Sequence, residues 1–313
     1  MDSTELLSSD DRGVAEAARL IRGGRLVAFP TETVYGLGAD ATQDGAVARV
    51  FQAKNRPSFN PLIVHVASID DAKVHGSFDQ AALALADAFW PGPLTLILDL
   101  ERGSPVSNLV TAGTGKIALR VPDQALAERI LLAANRPIAA PSANPSGRLS
   151  PTSAVHVIAG LGGQVDAVID GGPCPLGLES TIVATGDRPL LLRPGAIERD
   201  RIEEALGQEI SLPERGEGPA APGQLAAHYA PRVPLRIDAD EASDGESYLG
   251  FGPGAADANL SKTADLVEAA ANLFRLLHAL DSTGKPIAVA PIPEVGLGVA
   301  INDRLRRAAT PKS

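Results

Sequence analysis

Apolar residues in the first two thirds of the chain follow two alternating rhythms. Short leucine- and β-branched-rich runs read as strands, and the stretches between them, with apolar positions three and four apart, read as amphipathic helices. Helices are predicted over residues 14–22, closed by Gly23 and Gly24, and over 46–53, 80–89, 124–134 and 154–158, the last capped by Ser153. Strands are predicted at 26–29, ended by Pro30, and at 62–66, 94–98, 117–121, 138–140, 167–169 and 181–184. This alternation is the pattern of an α/β or α+β domain. It breaks off over 212–234, where proline and glycine recur too often for regular structure. After an acidic stretch, 238–246, come the apolar residues 248–251 and a helix carrying Leu266, Val267, Ala270, Leu273, Phe274, Leu277 and Leu280. A strand at 287–290 and a basic helix at 300–309 end the chain. The pattern divides it into a domain over 1–210, a linker over 211–235 and a small Rossmann-like α/β domain over 236–313 without a dinucleotide glycine fingerprint.

Composition narrows what such a molecule does. With 313 residues, 44% of them hydrophobic, the chain buries a full core. Its 28 basic and 38 acidic residues give a net charge of -10, so a standing grip on nucleic acid needs a local basic patch. The single cysteine, Cys174, forms neither an internal disulfide nor a multi-cysteine zinc site, which fits a reducing cytoplasm. The polar, acidic N-terminus has no apolar core of a signal peptide, and no apolar run is long enough to span a membrane.

Three segments concentrate polar chemistry. Lys54, Arg56 and Asn60 stand at a helix-to-strand turn, where two cations and an amide suit an anion, although a solvated helix end reads the same way. The loop after strand 138–140 packs Ser142, Asn144, Ser146, Arg148, Ser150 and Thr152 together, a donor set for phosphate oxygens or a plain polar turn. Arg120 ends an apolar strand, where a buried cation requires a salt bridge or an anionic ligand. The run Thr111-Ala112-Gly113-Thr114-Gly115-Lys116 imitates a P-loop but has Val110 where the first glycine belongs and Ile117 after the lysine. His65, His75, His156, His228 and His278 show no paired ligand spacing and no Ser/His/acid order. Arg304, Arg306 and Arg307 read as a solvated or dipole-facing helix face, with a basic patch for tRNA as the alternative.

The segment Pro30-Thr31-Glu32-Thr33-Val34-Tyr35-Gly36-Leu37 closely resembles the opening motif of the YrdC-type threonylcarbamoyl-AMP synthases. Further blocks resemble that family in the same order: Lys54-Asn55-Arg56-Pro57, Asn60 to His65, Trp90 to Thr95, Leu119 to Pro122, Ala140 to Asn144, Glu179 to Ile182 and Leu192 to Gly195. Ala221 to Pro231, with His228 and Tyr229, resembles the linker of the longer two-domain form, although Ala230 stands where many relatives carry serine. The resemblance runs on through Gly296 to Leu305.

The resemblance implies a YrdC-like twisted mixed sheet with flanking helices, and synthesis of L-threonylcarbamoyladenylate from ATP, L-threonine and bicarbonate. It places Lys54, Arg56, Ser142 and Asn144 at the ATP phosphates as the catalytic set, with Asn60, Lys116, Ser150, Arg193 and Tyr229 as further ATP contacts. Thr33, His65, Arg120, Ala140 and Ser180 are expected to hold threonine, with backbone contacts near Lys116 and Ala140. Tyr229 is expected to cover the site. Magnesium would arrive on the ATP phosphates, without a protein metal site or an organic cofactor. The downstream partner implied is the transferase that modifies tRNA beside the anticodon, with at most a weak RNA contact. Two rival readings are a double-stranded-RNA or ribosome-associated factor, disfavoured by the negative charge, and a hydrogenase-maturation carbamoyl transferase, whose cysteine-rich zinc segments this chain lacks.

Overall fold

The computed structural model describes residues 4–213 and 228–310; most of the predicted linker lies outside them. The larger unit is built on one mixed sheet of eleven strands. In spatial order these are Glu5–Leu7, Ala167–Ile169, Val27–Pro30, Tyr35–Asp40, Ile138–Ala139, Ile63–His65, Lys116–Arg120, Leu94–Leu100, Thr181–Ala184 and Leu190–Arg193, with Gly76–Ser77 paired beside Leu94–Leu100. Parallel and antiparallel neighbours both occur, because hairpins and helical crossovers are interleaved along the chain.

Period-two alternation sorts the strand side chains into two cores. Leu26 and Ala28 join a cluster with Val47, Val50 and Leu85, whereas Val27 and Phe29 pack with Ala17, Ile21, Ile130 and Leu131 from the helices Asp11–Arg22 and Ala125–Ala134. Asp10 starts the first of these helices by accepting a hydrogen bond from the Gly13 N–H, and Asp79 does the same for Gln80–Phe89 from Ala82. Ser153 occupies the N-cap position of Ala154–Leu161 but makes no side-chain capping bond.

The smaller unit is a four-stranded parallel sheet ordered Leu235–Arg236, Ile287–Val289, Ser247–Gly250, Ala258–Asn259, packed with helices Leu266–Asp281 and Leu297–Ala309. Its two short strands, Leu235–Arg236 and Ala258–Asn259, were not expected from the apolar pattern. Its core is not self-contained. Leu273, Phe274, Leu277 and Ile301 pack in one cluster with Val34, Leu149 and Leu178 of the larger unit and with Tyr229. At Gly177, with φ +68°, an added Cβ would lie 2.6 Å from the Ala270 carbonyl oxygen and 2.7 Å from that of Ala271. Backbone of the larger unit thus rests directly on helix Leu266–Asp281.

Candidate active site

A single cleft gathers the loops at one side of the large sheet, with His228 and Tyr229 among its lining residues. Its wall includes Thr33, Arg56, His65, Arg120, Ala140, Ser142, Glu179, Ser180, Arg193 and Tyr229. All five residues expected to hold threonine are therefore together, with four of the expected ATP contacts beside them.

Arg120 ends strand Lys116–Arg120 next to His65, its register partner on Ile63–His65. Its guanidinium is 4% exposed and meets Glu32 at 2.6 Å, donates to Thr33 Oγ1 at 3.0 Å and approaches the Gly92 carbonyl at 3.3 Å. Thr33 is held in turn by Thr31, hydroxyl to hydroxyl at 2.7 Å. The salt bridge expected of Arg120 is thus present, and Glu32 is its partner. Burial, with Arg120 adding to it, pushes the His65 pKa down to about 3, and its Nδ1 has no hydrogen-bond partner among the described residues.

Arg56 lies at the turn after helix Asp44–Lys54, where Asn55 takes the left-handed conformation. It donates to the Asn60 carbonyl and side-chain oxygens and to the Pro61 carbonyl, which fixes Asn60 behind it. Burial lowers its pKa to about 10, so it stays charged at neutral pH. Across the cleft, Arg193 ends strand Leu190–Arg193 and donates to the Ser180 carbonyl at 3.0 Å and hydroxyl at 3.0 Å. Ser180 also shares a 2.7 Å hydrogen bond with Thr95.

Lys54 sits differently from the expectation. It is 2% exposed, and its Nζ donates to the Ser142 and Asn144 carbonyls, each at 2.5 Å. The amine braces the backbone of the Ser142–Asn144 loop from behind and does not line the cleft. Burial pushes its pKa well below the ordinary lysine value. Asn144 is likewise turned into the loop, donating to the Pro145 and Arg148 carbonyls while its Oδ1 stays buried without a partner. Ser150 donates to Glu179 at 2.5 Å. Lys116 lies on the surface in an ion pair with Asp99, at the opposite end of its strand from Arg120. Its ammonium is outside the cleft: alternation puts it on the same face as Arg120, but four residues of extended strand carry it to the solvent edge.

His228 and Tyr229 are buried in the cleft lining. Tyr229 is 1% exposed, in the left-handed region at φ 61°, with its hydroxyl unpartnered and its pKa raised by burial and by Glu179. Burial and nearby Arg56, Lys54 and Arg193 hold the His228 pKa down at about 3 despite the Glu179 charge. Glu32 and Glu179 were absent from the residues expected here. Both are buried carboxylates inside motifs that the sequence displayed, but a carboxylate in a site for anions has no signal of its own until its arginine partner is seen. Arg304 is the other surprise. It is 1% exposed and paired with Glu179 at 2.9 Å, not on a solvated helix face, because helix Leu297–Ala309 turns that side toward the larger unit. Arg306, in contrast, is exposed and pairs with Glu294. Among the described residues no three His, Cys, Asp or Glu side chains converge as a metal site, and no helix is long and apolar enough to cross a membrane.

The fold and cleft define a two-domain α/β protein with a cleft lined by buried arginines, His228 and Tyr229. A family model described as telomere recombination, covering Sua5, YciO and YrdC proteins, matches residues 19–195, and one described as the threonylcarbamoyl-AMP synthase C-terminal domain matches 197–310. The chain belongs to this family, in its two-domain Sua5 form. It is 40% identical over 334 residues to threonylcarbamoyl-AMP synthase of Bacillus subtilis, across 99% of this chain and 96% of that one. The crystal structure of Pyrococcus abyssi Sua5 complexed with L-threonine superposes with a TM-score of 0.90 at 37% identity, covering 98% of each chain. Full-length HypF matches 58% of this chain and 29% of its own at 14% identity with a TM-score of 0.52, a likeness of fold alone.

Proposed function

We propose that this chain is a nucleotidyltransferase making L-threonylcarbamoyladenylate from ATP, L-threonine and bicarbonate with release of pyrophosphate. The observation that carries this reading is the excess of buried cations in one cleft. Arg56, Arg120 and Arg193 are buried in its wall, while the two buried carboxylates nearby, Glu32 and Glu179, are paired with Arg120 and with Arg304 behind the wall, in a molecule whose net charge is -10. Buried cations in excess are costly unless anions arrive to neutralise them.

Arg120, Thr33, Ser180 and the neutral His65 form the threonine half, and Arg56, Ser142 and Arg193 the triphosphate half. The threonine amine and bicarbonate give an N-carboxylated threonine with loss of water. A carbamate oxygen then attacks the α-phosphorus, and the bond to the pyrophosphate oxygen breaks. No protein nucleophile is needed; fixed donors neutralise the charge that moves onto the leaving group. Lys54 contributes by holding the Ser142–Asn144 loop in register. Magnesium would supply further charge neutralisation on the phosphates. The Ser142 hydroxyl in the cleft wall is a neutral oxygen that fits such an ion, whereas Glu32 and Glu179 are engaged by arginines. Tyr229 and His228 exclude water from a labile carbamate and mixed anhydride. Such a product suits a cytoplasmic transferase that passes the threonylcarbamoyl group to tRNA beside the anticodon, with at most a weak RNA contact by this chain.

The test is pyrophosphate release by the purified protein with ATP, magnesium, bicarbonate and threonine, omitting each in turn. Full dependence on all of them is expected; turnover that ignores threonine would overturn the assignment.

A further inference from the structure

Arg304 belongs to the small domain, yet its side chain ends in the wall region of the larger one. Its Nε donates to Glu179 Oε2 at 2.9 Å, and its Nη1 donates to the Pro194 carbonyl at 2.8 Å and to Asp303 at 2.9 Å. The guanidinium carbon lies 5.3 Å from the centre of the Tyr229 ring. Asp303 also accepts from Arg307 at 2.9 Å. Two arginines and two carboxylates therefore neutralise one another at the junction of the domains.

Glu179 is the member of this set that reaches the cleft. Its other oxygen accepts the Ser150 hydroxyl, and its chain neighbour is Ser180, which Arg193 holds. A carboxylate in that wall has opposite effects. It fixes Ser150, but its charge attracts the cations that phosphate oxygens need and repels the phosphates themselves. We infer that Arg304 is a positioning residue for nucleotide binding: by neutralising Glu179 from behind, it leaves Arg56 and Arg193 to act on phosphate and keeps the Tyr229 ring seated. The small domain thus tunes the ATP half of the cleft through one side chain and does not touch the ligand.

Burial pushes the Glu179 pKa up, but the Arg304 and Arg193 charges outweigh it and hold the carboxyl ionised. Removing Arg304 leaves that charge to Arg193, the second cation it feels. The threonine half, centred on Arg120 with its own Glu32, meets this set at Ser180, whose hydroxyl is also fixed by Thr95.

The inference rests on the reading of this cleft as an ATP site, so the wild-type full chain is titrated first with ATP and magnesium by calorimetry. Failure of the wild type to bind would sink that reading itself. Against a binding wild type, Arg304→Met is expected to weaken ATP affinity about tenfold or more while changing threonine affinity by less than about threefold. Arg304→Lys, which keeps the charge, and the double variant Arg304→Met/Glu179→Gln, which removes charge and countercharge together, are each expected to return ATP affinity to within about threefold of wild type. Melting temperatures are recorded alongside. Equal weakening of ATP and threonine with a lowered melting temperature would mark a structural brace and overturn the proposal. So would a double variant that stays about tenfold weak for ATP. If Arg304→Met does not fold, the double variant, which buries no lone charge, decides the matter alone.

Discussion

At the residue scale, the cleft separates groups that face a ligand from groups that hold those groups in place. Arg56 faces it, so Arg56→Ala is expected to lower the rate of pyrophosphate release per unit ATP and threonine by roughly a hundredfold, the cost of losing one preorganised charged donor, and to lower the melting temperature because the Asn60 and Pro61 oxygens lose their donor. Steady-state kinetics and a thermal scan on the same preparation check both halves. Lys54 holds others in place. Lys54→Met strips the donor from two carbonyl oxygens and is expected to cost about 2 kcal/mol of stability as well as activity, measurable as a shift in the urea midpoint. The sequence alone put the two cations in one role because they are two residues apart. Only the course of the helix end, with Asn55 in the left-handed region, turns Lys54 behind the loop and Arg56 into the cleft.

At the scale of elements, strand Tyr35–Asp40 is the instructive one. Its motif was conspicuous, yet Gly36 and Gly38 spoil the apolar alternation by which strands are recognised. The glycines are there because Phe29, opposite Gly36 in the hairpin, lays its ring over that face. An added Cβ at Gly38 would stand 2.6 Å from the Phe29 ring and 3.0 Å from Ile138. Gly38→Ala is therefore expected to destabilise by about 1–3 kcal/mol through overpacking, and Gly38→Ala with Phe29→Leu to recover part of it; chemical denaturation of both variants measures the coupling. Helices 80–89 and 124–134 were legible to within a residue, because each carries a capping residue before its first turn and an apolar stripe of ordinary spacing. Short pieces such as Asn108–Thr111 and Arg199–Leu206 were not, since the first is a single turn and the second buries only Ile202, so little periodicity remains to be read.

At the scale of the whole molecule, the two units share a core, and a pair of histidines lies at the shared surface. His156 stacks on His278 across it with ring centres 3.9 Å apart, and His278 Nε2 lies 3.1 Å from the Ser150 carbonyl. Burial lowers the pKa of His156 to about 4, that of His278 in direction, and those of His65 and His228 to about 3. A histidine kept neutral in the fold binds its proton only on unfolding. Its stabilising effect is complete above the ordinary value near 6.5 and is lost as pH falls below it toward the folded value. Each deeply buried histidine is thus expected to cost about 1 kcal/mol per pH unit below 6.5. Denaturation midpoints at pH 7.5 and pH 5.0 should differ sharply, and less so in His65→Asn. Gly177→Ala, which drives a methyl into the backbone of helix Leu266–Asp281, is expected to weaken the junction and raise protease sensitivity.

The sequence by itself determined the rhythm of strands and helices and the order of the motif blocks. It also determined the presence of cations and hydroxyls where strands give way to loops. These are properties of neighbours along a chain, set by periodicity, capping and composition. The tertiary structure decided which charges meet: Arg120 with Glu32, Arg304 with Glu179 over 125 residues of separation, and Tyr229 over the cleft. Burial removes the water that would otherwise screen such charges, and which residues lose their water depends on how the sheets and helices pack, not on sequence spacing.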